Sequence, residues 1–153
     1  MSHLDRRGFL ARSGAVAIIA VLPVAPAAAT PEALQEAIRE VVGSNKLNPG
    51  KVTLDLPPLV ENGNTVPMRV AVDSPMTEAD HVKAIYVFNE RNPQPHVIEA
   101  HLGPRAGRAA ISAHIKLADS QRVVAIAALS DGSFWTAAAD VIVTIAACTE
   151  DIG

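Results

Sequence analysis

Over most of its length this chain sets hydrophobic side chains at every second position, which commits it to half-buried β-strands rather than helices. Val66, Met68, Val70 and Val72 alternate with Pro67, Arg69 and Ala71, and Ile111, Ala113, Ile115 and Leu117 alternate with Ser112, His114 and Lys116. Lys51 to Leu56, Ala84 to Asn89, Val97 to Leu102, Val123 to Leu129 and Val141 to Ile145 complete an expected set of about seven short strands. Turn signals separate them: Asn62-Gly63, Asn92-Pro93, Gly103-Pro104 and Asp131-Gly132. Val123 to Leu129 is apolar on both faces, as a central strand requires. No helical periodicity lies between these runs, so the expected fold class is all-β, an antiparallel β-sandwich. One short N-terminal helix precedes it. Thr30-Pro31-Glu32 is a helix start, Leu34, Ala37, Ile38, Val41 and Val42 share one helical face, and Gly43 ends it.

The first 29 residues read as an address. Arg6-Arg7 precede an unbroken apolar run from Ala15 to Leu22, and Ala27-Ala28-Ala29 offers small residues to a signal peptidase. The expectation is a twin-arginine signal peptide over residues 1–29 that sends the protein to the periplasm, with cleavage before Thr30. A membrane anchor is the alternative, but a spanning helix needs about 20 apolar residues and Pro23 and Pro26 interrupt this run. The chain carries 13 basic and 16 acidic side chains, and the leader takes Arg6, Arg7 and Arg12 away but only Asp5. The remaining acidic domain lacks the clustered positive charge that nucleic acid or an anionic membrane demands. No second segment is apolar enough to span a bilayer.

Cys148 is the only cysteine, so no internal disulfide can support the fold. In an exported protein a leftover thiol is paired between chains, capped, or used as a nucleophile. It sits in the tail Ala146-Ala147-Cys148-Thr149-Glu150-Asp151-Ile152-Gly153, past the last expected strand, where chain ends usually meet solvent. The bland reading is an inert thiol tucked against the sandwich. Glu150 and Asp151 disfavour a thiolate, so activation is expected to come from whichever enzyme receives the arm.

Other candidates compete with it. His81, His96, His101 and His114 could serve a copper-binding sandwich, yet none has the close spacing of a metal-binding helix, and no metal site is expected. No glycine-flanked nucleophilic serine or phosphate loop is present, which argues against an enzyme. Arg105 and Arg108, between Gly103 and Gly107, read either as an anion or acidic-partner patch or as a solvated turn. Phe134-Trp135 reads either as an interface anchor or as a buried pair.

Several segments together resemble one family. The twin-arginine leader, the opening helix, Glu61-Asn62-Gly63-Asn64-Thr65-Val66-Pro67, Asp73-Ser74-Pro75, Lys83-Ala84-Ile85, Asn89-Glu90-Arg91-Asn92-Pro93-Gln94-Pro95, Ile111-Ser112, Ile115-Lys116-Leu117-Ala118 and Val143-Thr144-Ile145 leading to Cys148 look like SoxY. SoxY is the sulfur-carrier subunit of the periplasmic thiosulfate-oxidising system. The resemblance implies an immunoglobulin-like β-sandwich over residues 30–145, paired with a SoxZ-like β-sandwich subunit. It also implies a C-terminal cysteine arm, residues 146–153, whose Cys148 carries covalent sulfur between periplasmic enzymes that load and unload it. No cofactor beyond that adduct is implied, and no catalytic centre. SoxY ends in Gly-Gly-Cys-Gly-Gly, whereas here Ala146, Ala147, Thr149 and Glu150 flank the cysteine, the pattern of a SoxY-related subgroup with an Ala-Ala-Cys-x-Glu arm. Glycine gives an arm freedom in φ and slimness, which alanine and threonine restrict. The alternative from another class is a non-carrier interaction module whose arm docks permanently.

Overall fold

A computed structural model describes residues 30–147. The helix forms where the capping signals place it. In α1 (Pro31–Val42) the Thr30 side chain accepts a hydrogen bond from the Ala33 N–H, Pro31 occupies the first turn, and Gly43 closes the helix at φ 63°. Nine strands follow: β1 (Leu47–Pro49), β2 (Val52–Asp55), β3 (Leu59–Val60), β4 (Val66–Val72), β5 (Val82–Asn89), β6 (His96–His101), β7 (Ala109–Ile115), β8 (Gln121–Leu129) and β9 (Phe134–Val143).

They form two sheets. The larger runs β1-β9-β8-β5-β6 with β3 also paired to β9, and the smaller runs β2-β4-β7. Between the sheets lies the main core, in which Val66, Val70, Val82, Ile85, Val87, Leu117, Val123 and Ala125 are all fully buried. The outer face of the larger sheet would be wet were it not for α1. Leu34, Ile38 and Val42 cover Phe88, Val124 and Ile126 there, making a second apolar layer. The result is the immunoglobulin-like sandwich with one short leading helix.

Most expected strands are in place, including β8 at the middle of its sheet. Two differences have physical causes. The last strand starts at Phe134, not Val141, and ends at Val143, short of Ile145. Its middle is Ala137-Ala138-Ala139, which carries no alternation signal and has low strand propensity, but it gains a full antiparallel ladder with β8. Strands β1 and β3 are only 3 and 2 residues long and pair in parallel with β9, which no local pattern announces. Phe134 and Trp135 are both half-buried and point to opposite faces of β9. Phe134 packs on the helix layer, while Trp135 packs on the main core with the Lys51 ammonium 5.0 Å from its ring centre.

One buried group is at odds with its surroundings. Asn89, at the end of β5, is fully buried, and neither Nδ2 nor Oδ1 has a protein partner. An unsatisfied buried amide costs about 1–3 kcal/mol, so Asn89→Leu is expected to raise stability by about 1 kcal/mol or more, read as a higher urea midpoint at unchanged slope.

Candidate functional site

The last strand delivers the chain to one end of the sandwich, and that end is tied down by backbone bonds. Ile142 N–H donates to the Pro58 carbonyl (2.9 Å) and Thr144 N–H to that of Val60 (3.0 Å). The Ser120 hydroxyl accepts from Val143 N–H at 2.9 Å and lies 3.4 Å from the Val143 carbonyl, so it brackets that peptide from the β7–β8 loop. Thr144 Oγ1 donates to the Glu61 carbonyl at 3.1 Å.

The β7–β8 loop is held in turn. Asn92 Nδ2 donates to the Lys116 carbonyl (2.8 Å), and Asn92 Oδ1 accepts from Ala118 N–H (3.0 Å) and from Gln121 Nε2 (2.9 Å). Gln121 Oε1 accepts from Arg91 N–H at 2.8 Å, and the exposed Arg91 and Asp119 side chains pair at 2.9 Å. A buried glutamine bonded on both ends of its amide fixes two loops against one another.

From Ile145 to Ala147 the chain stays on the body. Gly63 N–H donates to the Ile145 carbonyl (2.8 Å), and Ala147 N–H donates to the Leu117 carbonyl (3.1 Å). Ala146 is exposed, while Ala147 is only 8% exposed. Of the expected arm residues, Cys148, Thr149 and Glu150 lie outside the described residues, as does the leader, residues 1–29. Leu59, Ile142 and Ile145 are the large hydrophobic side chains left in solvent among the described residues, at 58%, 59% and 64% exposure. Leu59 and Ile142 are register partners, so they share one face beside the root of the arm.

The competing candidates are scattered. His81 sits by the Thr77 carbonyl (3.0 Å), His114 lies exposed on the outer face of β7, and His96 and His101 flank Glu99 on the edge strand β6, at 4.0 and 2.8 Å. Among the described residues no three His, Cys, Asp or Glu side chains converge as a metal site would require. His96 also stacks on Phe88 at 5.0 Å between ring centres, and burial together with the Glu99 carboxylate pushes the neighbouring Tyr86 phenol above its ordinary value. Arg105 and Arg108 are exposed around a short 3-10 turn (Pro104–Ala106) at the opposite end of β7 from the arm root. An open cavity of about 500 Å³ on the outside of the smaller sheet is lined by Arg69, Ser112 and His114 among others. No described helix is long and apolar enough to cross a membrane.

What sequence reasoning missed is Gly63. It reads as turn punctuation, but its φ is not in the left-handed region. It is needed for space: a Cβ there would sit 2.3 Å from the Leu117 oxygen and 2.9 Å from the Ala147 nitrogen. The available signal was its place inside Glu61-Asn62-Gly63, just before a strong strand.

The fold and this end define a class: a two-sheet immunoglobulin-like sandwich with its C-terminal chain led out along one edge. Comparison with known proteins then narrows it. The family model for the sulfur oxidation protein SoxY matches residues 38–148, ending on the cysteine. The sulfur carrier protein SoxY from Chlorobium limicola f thiosulfatophilum is 26% identical with a TM-score of 0.63, over 74% of this chain and 98% of that one. Superoxide reductases share the fold alone: that of Ignicoccus hospitalis at 19% identity and TM-score 0.53, over 61% of this chain and 80% of that one, and that of Nanoarchaeum equitans at 11% and 0.52, over 63% and 100%. A comparison with curated protein sequences gives no match. The chain belongs to the SoxY family, and a carrier role in sulfur oxidation goes with that membership.

Proposed function

We propose that this protein is a periplasmic sulfur carrier, exported by the twin-arginine route, which holds its cargo covalently on Cys148 beside a SoxZ-like β-sandwich subunit. It has no catalytic centre of its own and presents the bound sulfur to enzymes that load and unload it. The observation that carries this reading is the extent of the family match, which runs through the sandwich and stops on the chain's single cysteine. The rigid end from which that residue departs supports it. With thiosulfate as cargo, loading joins the Cys148 sulfur to the outer sulfur of thiosulfate. It releases one proton and two electrons, so the loading enzyme must supply an acceptor for both electrons, such as two one-electron haem centres.

The test is intact-mass spectrometry of protein purified from sulfur-oxidising cells. Adducts on the Cys148 peptide that a thiol reductant removes are the expected result. A thiol found unmodified in every preparation, and inert to sulfur donors with the loading enzyme present, would falsify the carrier reading.

A further inference from the structure

Three main-chain hydrogen bonds meet around Gly63. Its N–H donates to the Ile145 carbonyl (2.8 Å), its carbonyl accepts from Leu117 N–H (2.8 Å), and the Leu117 carbonyl accepts from Ala147 N–H (3.1 Å). The β3–β4 loop, the β7–β8 loop and the root of the arm are thereby joined. Residue 63 must be glycine for the three to coexist. The Cβ of any other residue would lie 2.3 Å from the oxygen that receives the Ala147 N–H, 2.9 Å from that nitrogen and 3.0 Å from Val143 Cγ1. The first of these is backbone, and the loop that carries it is held by Asn92 and Gln121, so it has little room to yield.

The consequence for the thiol is one of reach. With Ala147 buried and its N–H bonded, the free tether to the thiol begins only after residue 147. Were the chain free from Val143 onward, five residues would let it travel roughly 16–18 Å from the body. We infer that Gly63 is a positioning residue for sulfur carriage: by seating residues 145–147 it fixes the point from which the chain to Cys148 departs, and so limits how far the thiol can extend. This rests on the carrier reading only in making the thiol the part that matters. A loading enzyme with a shallow site meets the seated arm, next to exposed Leu59, Ile142 and Ile145; a deeper site takes the thiol only once the Gly63 bonds open.

The test uses the mature full chain and a peptide of residues 144–153 as the free-tail reference. Amide exchange at Ala147 is measured alongside alkylation of Cys148 by iodoacetamide and by a maleimide-linked polyethylene glycol. In the wild type, Ala147 exchange is expected to be slowed at least roughly tenfold relative to the peptide. The ratio of bulky-reagent to small-reagent rate should fall below the peptide's. Gly63→Ala should return both readings to peptide values. Because that variant crowds a loop, Ala147→Pro serves as the second: it removes the N–H donor without touching residue 63, and it should shift the reagent ratio in the same direction. Wild-type protein that already behaves like the peptide, or a ratio unmoved in both variants, overturns the seat. Neither reading depends on cargo, so a failed carrier function, seen as a wild-type thiol that never takes sulfur, is distinguishable from a failed seat.

Discussion

Replacing Phe88 with alanine is expected to lower the stability of the domain by about 3–5 kcal/mol. Phe88 heads the fully buried side chains by size, in a protein with very few aromatic residues, and nothing else of its volume stands behind it. It lies on the outer face of the larger sheet, where Leu34, Ile38 and Val42 of the helix meet Val124 and Ile126, with His96 stacked on its ring. Those neighbours are spread over a helix and two strands, so they cannot collapse into the space the ring leaves. The helix has 12 residues, near the length at which isolated helices are marginal in water. Its folding therefore depends on this layer. A loss of that size is a large share of the roughly 5–15 kcal/mol available to such a domain. Urea unfolding should show a lower midpoint, and hydrogen exchange should show residues 31–42 opening first. A loss under about 1 kcal/mol would mean that the helix is held by something other than this cluster.

The sandwich was legible wherever side chains carried its signal. Val66 to Val72 announced β4 because every second residue faces the core, and the unbroken apolar run from Val123 announced the central β8 because both of its faces are covered. The helix was legible from its two ends, Thr30 and Gly43. What stayed hidden is held by main chain. The middle of β9 is alanine, and its strand character comes from the ladder with β8 rather than from the residues themselves. Strands β1 and β3 exist only because β9 offers an edge to pair with. At the arm, alanine was read as restricting the freedom and slimness that glycine gives. The structure gives Ala147 a use of its own, since its methyl is buried and its N–H is bonded, which no composition rule separates from a free tail. Asn89 was expected as a strand end and is one, but its orphan amide is visible only when the partners around it can be counted.

Cys148→Ser is expected to abolish carrier function while leaving the body intact. Serine matches cysteine closely in shape, yet its hydroxyl cannot form or break a bond to sulfur under the conditions in which thiols exchange. The effect is therefore all-or-none: adduct mass disappears, and sulfur-dependent growth or reconstituted sulfur oxidation falls to background. Stability should change by no more than about 0.5 kcal/mol, because every core side chain among the described residues comes before this position and the last of them, Ala147, is unchanged. Binding to a SoxZ-like subunit should persist, measured by co-purification. The pairing of lost transfer with retained assembly separates carriage from docking. A module that works only by holding a partner would keep most of its activity with serine in place, because the exposed Leu59, Ile142 and Ile145 and the bonds at Gly63 are untouched by the substitution. If oxidation survives in the serine variant, the docking module takes the carrier's place, and the thiol becomes incidental to an arm whose business is contact.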